Sequence, residues 1–162
     1  RMLQSIGYLI KESHVREGFA RVCTLTGLMG RWQKIQESPV VICDTGHNKA
    51  GIQYIVEQLS RQNYRQLHIV MGMVNDKDIS GVLAMLPKDA IYYFTKASVS
   101  RALDEKEVKR LANAAGLNGE TYPSVKEAYQ NALASAHPDD FVFVGGSTFI
   151  VADLLSLFTD SF

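Results

Sequence analysis

The sequence predicts an α/β protein: a doubly wound, mainly parallel, open sheet with helices on both faces, preceded by short helices. Three observations predict it. Short, nearly unbroken apolar runs recur at 39–43, 67–71 (LHIVM) and 140–144 (DFVFV), as expected of strands covered on both faces. Segments of helical period separate them, as in Ile52, Ile55, Val56 and Leu59. This strand–helix alternation, joined by right-handed crossovers, gives a Rossmann-like layering.

In chain order, Leu3, Ile6 and Ile10 suggest a helix over 2–11, a second helix follows over 13–22, and "TLTGLMG" reads as a loop. Strands are expected at 31–36 and 39–43, then helix 49–61, strand 66–71, helix 78–85 and strand 90–94. Helix 104–115 starts at Asp104 with Glu107 three residues on. A short strand near 120 precedes helix 125–135, where Ser124 and Glu127 form a capping box ahead of Val125, Ala128, Tyr129, Ala132 and Leu133. Strand 140–144 and helix 148–158 complete the series. No internal repeat or low-complexity segment interrupts it.

At 162 residues there is room for one sizeable core. Seventeen basic residues balance seventeen acidic ones, with no block of like charge, so no global field draws in nucleic acid or an anionic membrane. No apolar stretch approaches the ~20 residues that span a bilayer, and no basic-then-apolar leader opens the chain. Cys23 and Cys43 read as free thiols of a reducing compartment, and the expected location is cytoplasmic. The chain opens on Arg1 and runs directly into a helical pattern without a cap, so its first residues are expected to belong to a preceding domain.

In an open α/β sheet, ligands bind beyond the carboxyl ends of the strands. The loops that follow the strands are Asp44-Thr45-Gly46-His47-Asn48, Gly72 to Asp78, Thr95 to Arg101, and Gly145-Gly146-Ser147-Thr148. All are polar. The loops at the other end, Gln62-Asn63-Tyr64 and Pro87-Lys88-Asp89, read as plain turns. Each polar loop also has a plainer explanation. Asp44 or Asn48 can cap the helix near 49, Asp76 or Asp78 the next one, and Ser147 the last. Lys77 and Arg101 can be solvated surface charges, and Gly145-Gly146 a sharp turn. His47 lies in a glycine turn, on neither a helix face nor a core stripe. No phosphate loop, dinucleotide fingerprint, zinc spacing or nucleophile elbow is present.

"MGRWQ" followed by "PVVICDTGHNKAG" resembles the opening of the C-terminal domain of folylpolyglutamate synthase/dihydrofolate synthase, in the Mur ligase superfamily. That family reads P-G-R, a hydrophobic strand, then D-x-A-H-N-P. "GMVNDKD", "SRALD" and "VFVGGSTFIVADLL" are similar to its later motifs, so the likeness runs from residue 28 to 155 in order. Met29, Lys49 and Ser100 stand where the family has proline; no charged or hydrogen-bonding group is lost. The resemblance implies that residues 1–27 are the tail of an N-terminal ATPase domain or linker helices, and that 28–162 form the Mur-ligase-type C-terminal domain.

The resemblance further implies an ATP-dependent ligation. The C-terminal domain closes over ATP held by the phosphate loop of the N-terminal ATPase domain. Asp44 would accept hydrogen bonds from the ribose hydroxyls, His47 and Asn48 would lie at the nucleotide, and Arg31 would reach the terminal phosphates as the catalytic residue. Lys77, Ser98, Arg101 and Ser147 are candidates for the incoming L-glutamate. The substrate, a folate or dihydropteroate, would become an acyl phosphate that the amino group of glutamate then attacks. Mg2+ would be held mainly by the N-terminal domain, with no metal ligand in this chain. The chain alone is expected to be inactive. The alternatives are a peptidoglycan-precursor amino-acid ligase of the same superfamily, a non-enzymatic nucleotide-binding module, and an unrelated flavodoxin-like domain, which lacks support in a Ser/Thr-rich loop.

Overall fold

The computed structural model describes residues 2–75 and 78–158. Asp76 and Lys77, both in the loop singled out above, lie outside the described residues. The elements in order are α1 (Met2–Ser5), α2 (Glu12–Ala20), α3 (Val22–Thr26), β1 (Gln33–Glu37), β2 (Val40–Asp44), α4 (Lys49–Leu59) and β3 (Leu67–Met71). Then come α5 (Ile79–Leu83), β4 (Ile91–Phe94), α6 (Glu105–Ala114), β5 (Gly119–Thr121), α7 (Val125–Ser135), β6 (Phe141–Gly145) and α8 (Thr148–Ser156). They build one six-stranded open sheet of order β1-β2-β6-β3-β4-β5. Only β1 runs antiparallel, against β2; the other neighbours are parallel.

The predicted layering is present, and the strand alternation makes it. Ile42, Ile69, Met71, Tyr92, Phe94, Phe141 and Phe143 face one way and meet α4, α5 and α6 through Ile52, Ile55, Leu83, Val108 and Ala112. Their sequence neighbours Val41, Cys43, Val70, Tyr93, Val142 and Val144 face the other way, against Ala128, Tyr129 and Ala132 of α7 and Ile150, Val151 and Leu154 of α8. Side chains of successive strand residues point to opposite faces, so an unbroken apolar run feeds two cores at once. Burial, with the Asp44 charge beside it, pushes the Cys43 thiol up to about 12, so it stays an unreactive packing group.

Caps fall where the sequence places them. Asn48, Asp78, Asp104, Ser124 and Ser147 each accept a backbone N–H of the helix that follows. Two readings need correction near the start. The expected helix over 2–11 ends at Ser5, because the chain turns at Gly7 with φ +97°, a conformation that glycine adopts without strain. The "TLTGLMG" stretch is partly helical, since α3 continues to Thr26 and stops at left-handed Gly27. No residue of α1, α2 or α3 is buried, and Met2, Ile6, Leu9 and Phe19 are widely exposed. Among the described residues, no helix is long and apolar enough to cross a membrane.

Candidate functional site

The connections of the sheet create a crevice at its carboxyl edge. The loop leaving β2 leads to α4 on one face, while the loop leaving its neighbour β6 leads to α8 on the other. At such a switch point the two loops diverge and leave a gap above the strand ends. One cleft there, of about 310 Å³, is lined by His47, Val74, Arg101, Ser147, Thr148 and Phe149. A second, of about 240 Å³, shares His47 and is lined also by Asn48, Lys49, Met73, Asp78, Ile79 and Val82. Loops after β2, β3, β4 and β6 therefore meet around His47.

Asp44 closes β2 and is half-buried. Its Oδ2 accepts the Trp32 N–H and its Oδ1 the Gly46 N–H, both at 2.7 Å. A carboxylate has about four lone-pair positions, so each oxygen retains capacity for another donor. His47 is exposed, and its Nδ1 lies 3.0 Å from the Thr45 carbonyl. A carbonyl only accepts, so in the neutral ring Nδ1 carries the proton and Nε2 is an acceptor with no partner among the described residues. Asn48 caps α4 through the Gly51 N–H, at 2.9 Å.

Arg31 stands at the start of the same edge. It is exposed and has neither an ion pair nor a hydrogen bond with any described residue. The backbone around it is held firmly. Gly30 has φ +71° and Trp32 has φ +43°, which is uncommon for a bulky residue. The Gly30 N–H donates to Gln33 Oε1 at 2.7 Å, and the Thr45 N–H donates to the Gly30 carbonyl at 2.9 Å. Gly30 has no room for a side chain, since a Cβ would come within 2.8 Å of the Thr45 methyl. The Trp32 ring lies 6.3 Å from Phe143 and 6.5 Å from Phe141, centroid to centroid.

Arg101 is also exposed, and its guanidinium lies 5.6 Å from the centre of the Phe149 ring. Its backbone is pinned, because the Asn75 N–H donates to its carbonyl and Val74 bridges to Ala102. Ser147 is buried, and its Oγ accepts the Phe149 N–H at 3.2 Å. Ser98 is turned toward α8: its N–H and Oγ–H both donate to Asp153, at 2.7 and 2.8 Å. The structure thus gathers His47, Arg101 and Ser147 around one cleft. Ser98 is at the same edge but engaged with Asp153, and Lys77 lies outside the described residues.

Comparison with known proteins decides the family. The family described as Mur ligase, glutamate ligase domain, matches residues 30–148. The chain belongs to it. The chain is 33% identical over 159 residues to the dihydrofolate synthase/folylpolyglutamate synthase of Escherichia coli K12, covering 96% of itself and 35% of that protein. Among solved structures, E. coli FolC in complex with DHPP and ADP superposes with a TM-score of 0.82 at 29% identity, over 98% of this chain and 37% of that one. A bifunctional folylpolyglutamate synthase/dihydrofolate synthase with Mn, AMPPNP and L-glutamate bound gives 0.80 at 26% identity, over 97% and 37%. This glutamate ligase domain spans about a third of the length of those relatives.

Two of the three positions where the ligase domain lacks the expected proline have visible consequences. Lys49 reaches Asp78 at 2.6 Å, joining the start of α4 to the start of α5 beside His47. Lys49 and a backbone N–H of α5 hold the Asp78 carboxyl below its ordinary range. Met29 leaves an exposed side chain ahead of the Gly30 turn. Sequence reasoning passed over Trp32, Gln33, Phe149 and Asp153. Trp32 and Gln33 read as the start of a strand, and Asp153 as one polar residue on a helix. Among the described residues, no group of three or more His, Cys, Asp or Glu side chains is placed to hold a metal ion.

Proposed function

We propose that this chain is the C-terminal domain of an ATP-dependent carboxylate–amine ligase that adds L-glutamate to a folate or dihydropteroate through an acyl phosphate. The observation that carries the reading is the crevice where His47, Arg101 and Ser147 meet, at the same edge as an Arg31 that has no partner among the described residues. Its form suits an anionic, nucleotide-bearing ligand approached from outside. The Nε2 of His47 can accept from the amino group of a purine, and the spare lone pairs of Asp44 can accept from ribose hydroxyls. Arg31 offers a planar fork of donors to phosphoryl oxygens. Arg101, beside the α8 N-terminus, suits a glutamate carboxylate, where helix dipole and guanidinium favour the same charge. Ser147 would act through its cap, Ser98 through the Asp153 contact, and Lys77 from the neighbouring loop.

In the reaction the folate carboxylate attacks the γ-phosphorus of ATP, ADP leaves, and the acyl phosphate is attacked by the glutamate amine with release of phosphate. Domain closure shields the acyl phosphate from water. The uncovered apolar side chains of α1–α3 are the face we assign to the N-terminal ATPase domain, which would also supply the magnesium ligands; the described residues offer no cluster that fits the ion. The test is phosphate release by the complete two-domain protein with ATP, dihydropteroate or folate, and L-glutamate. Release should require all three substrates, and hydroxylamine should trap the activated acid as a hydroxamate. The 162-residue chain alone should give neither. Full activity with a peptidoglycan precursor and none with a pterin acid would overturn the assignment.

A further inference from the structure

Trp32 is strained for a reason the binding roles above do not use. A non-glycine residue in the left-handed region persists only where its surroundings over-determine it, and such residues gather at functional sites. Here the surroundings are explicit. The Trp32 N–H is held by Asp44 Oδ2 at 2.7 Å, and its indole is seated against Phe141 and Phe143 on one face of the sheet. The preceding turn is fixed by Gln33 and Thr45 on the two backbone groups of Gly30. Between these two fixed points stands Arg31, whose own side chain has no partner among the described residues.

An arginine side chain carries much rotamer entropy, so an unpartnered one is a poor instrument unless its base is immobile. A small misplacement of a group that meets a transferring phosphoryl costs rate steeply. We propose that Trp32 is a positioning residue for Arg31: its seated indole and left-handed backbone, pinned by Asp44, set the direction in which the guanidinium leaves the chain. The inference rests on the reading of Arg31 as the phosphate-facing residue. It gives Asp44 a second task, so that one carboxylate links the ribose site to the phosphate site.

The experiment is a double-mutant cycle in the complete two-domain enzyme, by steady-state kinetics with ATP and glutamate varied in turn. Trp32→Ala should lower kcat about tenfold, with the KM for glutamate essentially unchanged. Trp32→Phe, which keeps an aromatic ring on Phe141 and Phe143, should restore most of the loss. In an Arg31→Ala background, Trp32→Ala should produce no further fall in kcat, because the group it positions is gone. Should Trp32→Ala not accumulate as folded protein, Trp32→Leu keeps apolar bulk at the seat and carries the same cycle. Equal losses in both backgrounds, or no loss with Arg31 intact, would overturn the proposal. An Arg31→Ala enzyme with unchanged kcat would instead sink the reading of Arg31, and the positioning role with it.

Discussion

The two edges of the sheet treat their polar side chains in opposite ways. At the amino edge, Arg65 clasps the buried Asp140 with two hydrogen bonds of 3.0 Å, and the His137 N–H adds a third at 2.7 Å. His68, itself buried, lies 3.3 Å from the same carboxylate and 3.0 Å from the Tyr93 hydroxyl. Burial alone would raise the Asp140 carboxyl, but the donors outweigh it and hold it well below the usual carboxylate range. At the carboxyl edge, Arg31, His47 and Arg101 are exposed and lack a carboxylate partner among the described residues. One edge has consumed its hydrogen-bonding capacity in the fold. The other holds these three side chains in reserve on rigid supports.

The largest effect expected from breaking this contrast is on stability. Asp140→Ala should destabilise the protein by ~3 to 5 kcal/mol, because it strands buried His68 and the His137 N–H. Chemical denaturation checks this, and a change under ~1 kcal/mol would remove the amino edge as a structural anchor. Next comes Asp44→Ala, expected to raise the KM for ATP about ten- to hundredfold, as befits a charge-assisted hydrogen bond. It should also lower kcat through release of Trp32. A KM effect alone would confine Asp44 to the ribose.

Arg101→Ala should raise the KM for glutamate about tenfold while leaving the KM for ATP alone; the reverse pattern would exchange the two subsites. Acid should act on the amino edge. The depressed Asp140 carboxyl contributes stability that is complete above the unfolded carboxylate range, about pH 4, and is lost as pH falls through its folded value. Asp140→Asn should therefore flatten the acid limb of stability against pH, as followed by circular dichroism. The smallest effect is at Lys49. Its bond to Asp78 joins two largely exposed side chains, so Lys49→Ala should leave the unfolding midpoint nearly unchanged.

Much of the carboxyl edge was legible because local rules govern it. Strand runs such as LHIVM announce a covered sheet, and caps such as Asn48 and Ser124 mark helix starts within three residues of their partners. Loops that follow strands then fall on one edge by topology alone. The amino-edge network was not legible beside the plain turns at 62–64 and 87–89, because its chemistry is remote in sequence: Arg65 and Asp140 are 75 positions apart, and His68 and Asp140 are 72 apart. The Ser98–Asp153 contact was hidden for the same reason. The left-handed Trp32 had no local signal, since glycine, asparagine and aspartate are the residues that advertise that conformation. At the start of the chain, the apolar spacing of Leu3, Ile6 and Ile10 suggested one helix, and Gly7 interrupts it.

The central claim is that Arg31, His47 and Arg101 at the carboxyl edge stay free for a reaction and add little to the fold. Arg31→Ala in the complete enzyme tests it most directly, with kcat and the urea midpoint measured on the same preparation. The account predicts a fall in kcat of about a hundredfold or more, in line with removal of other groups that meet developing phosphoryl charge, and an unchanged midpoint. An intact kcat, or a rate loss matched by a lowered midpoint, would contradict it.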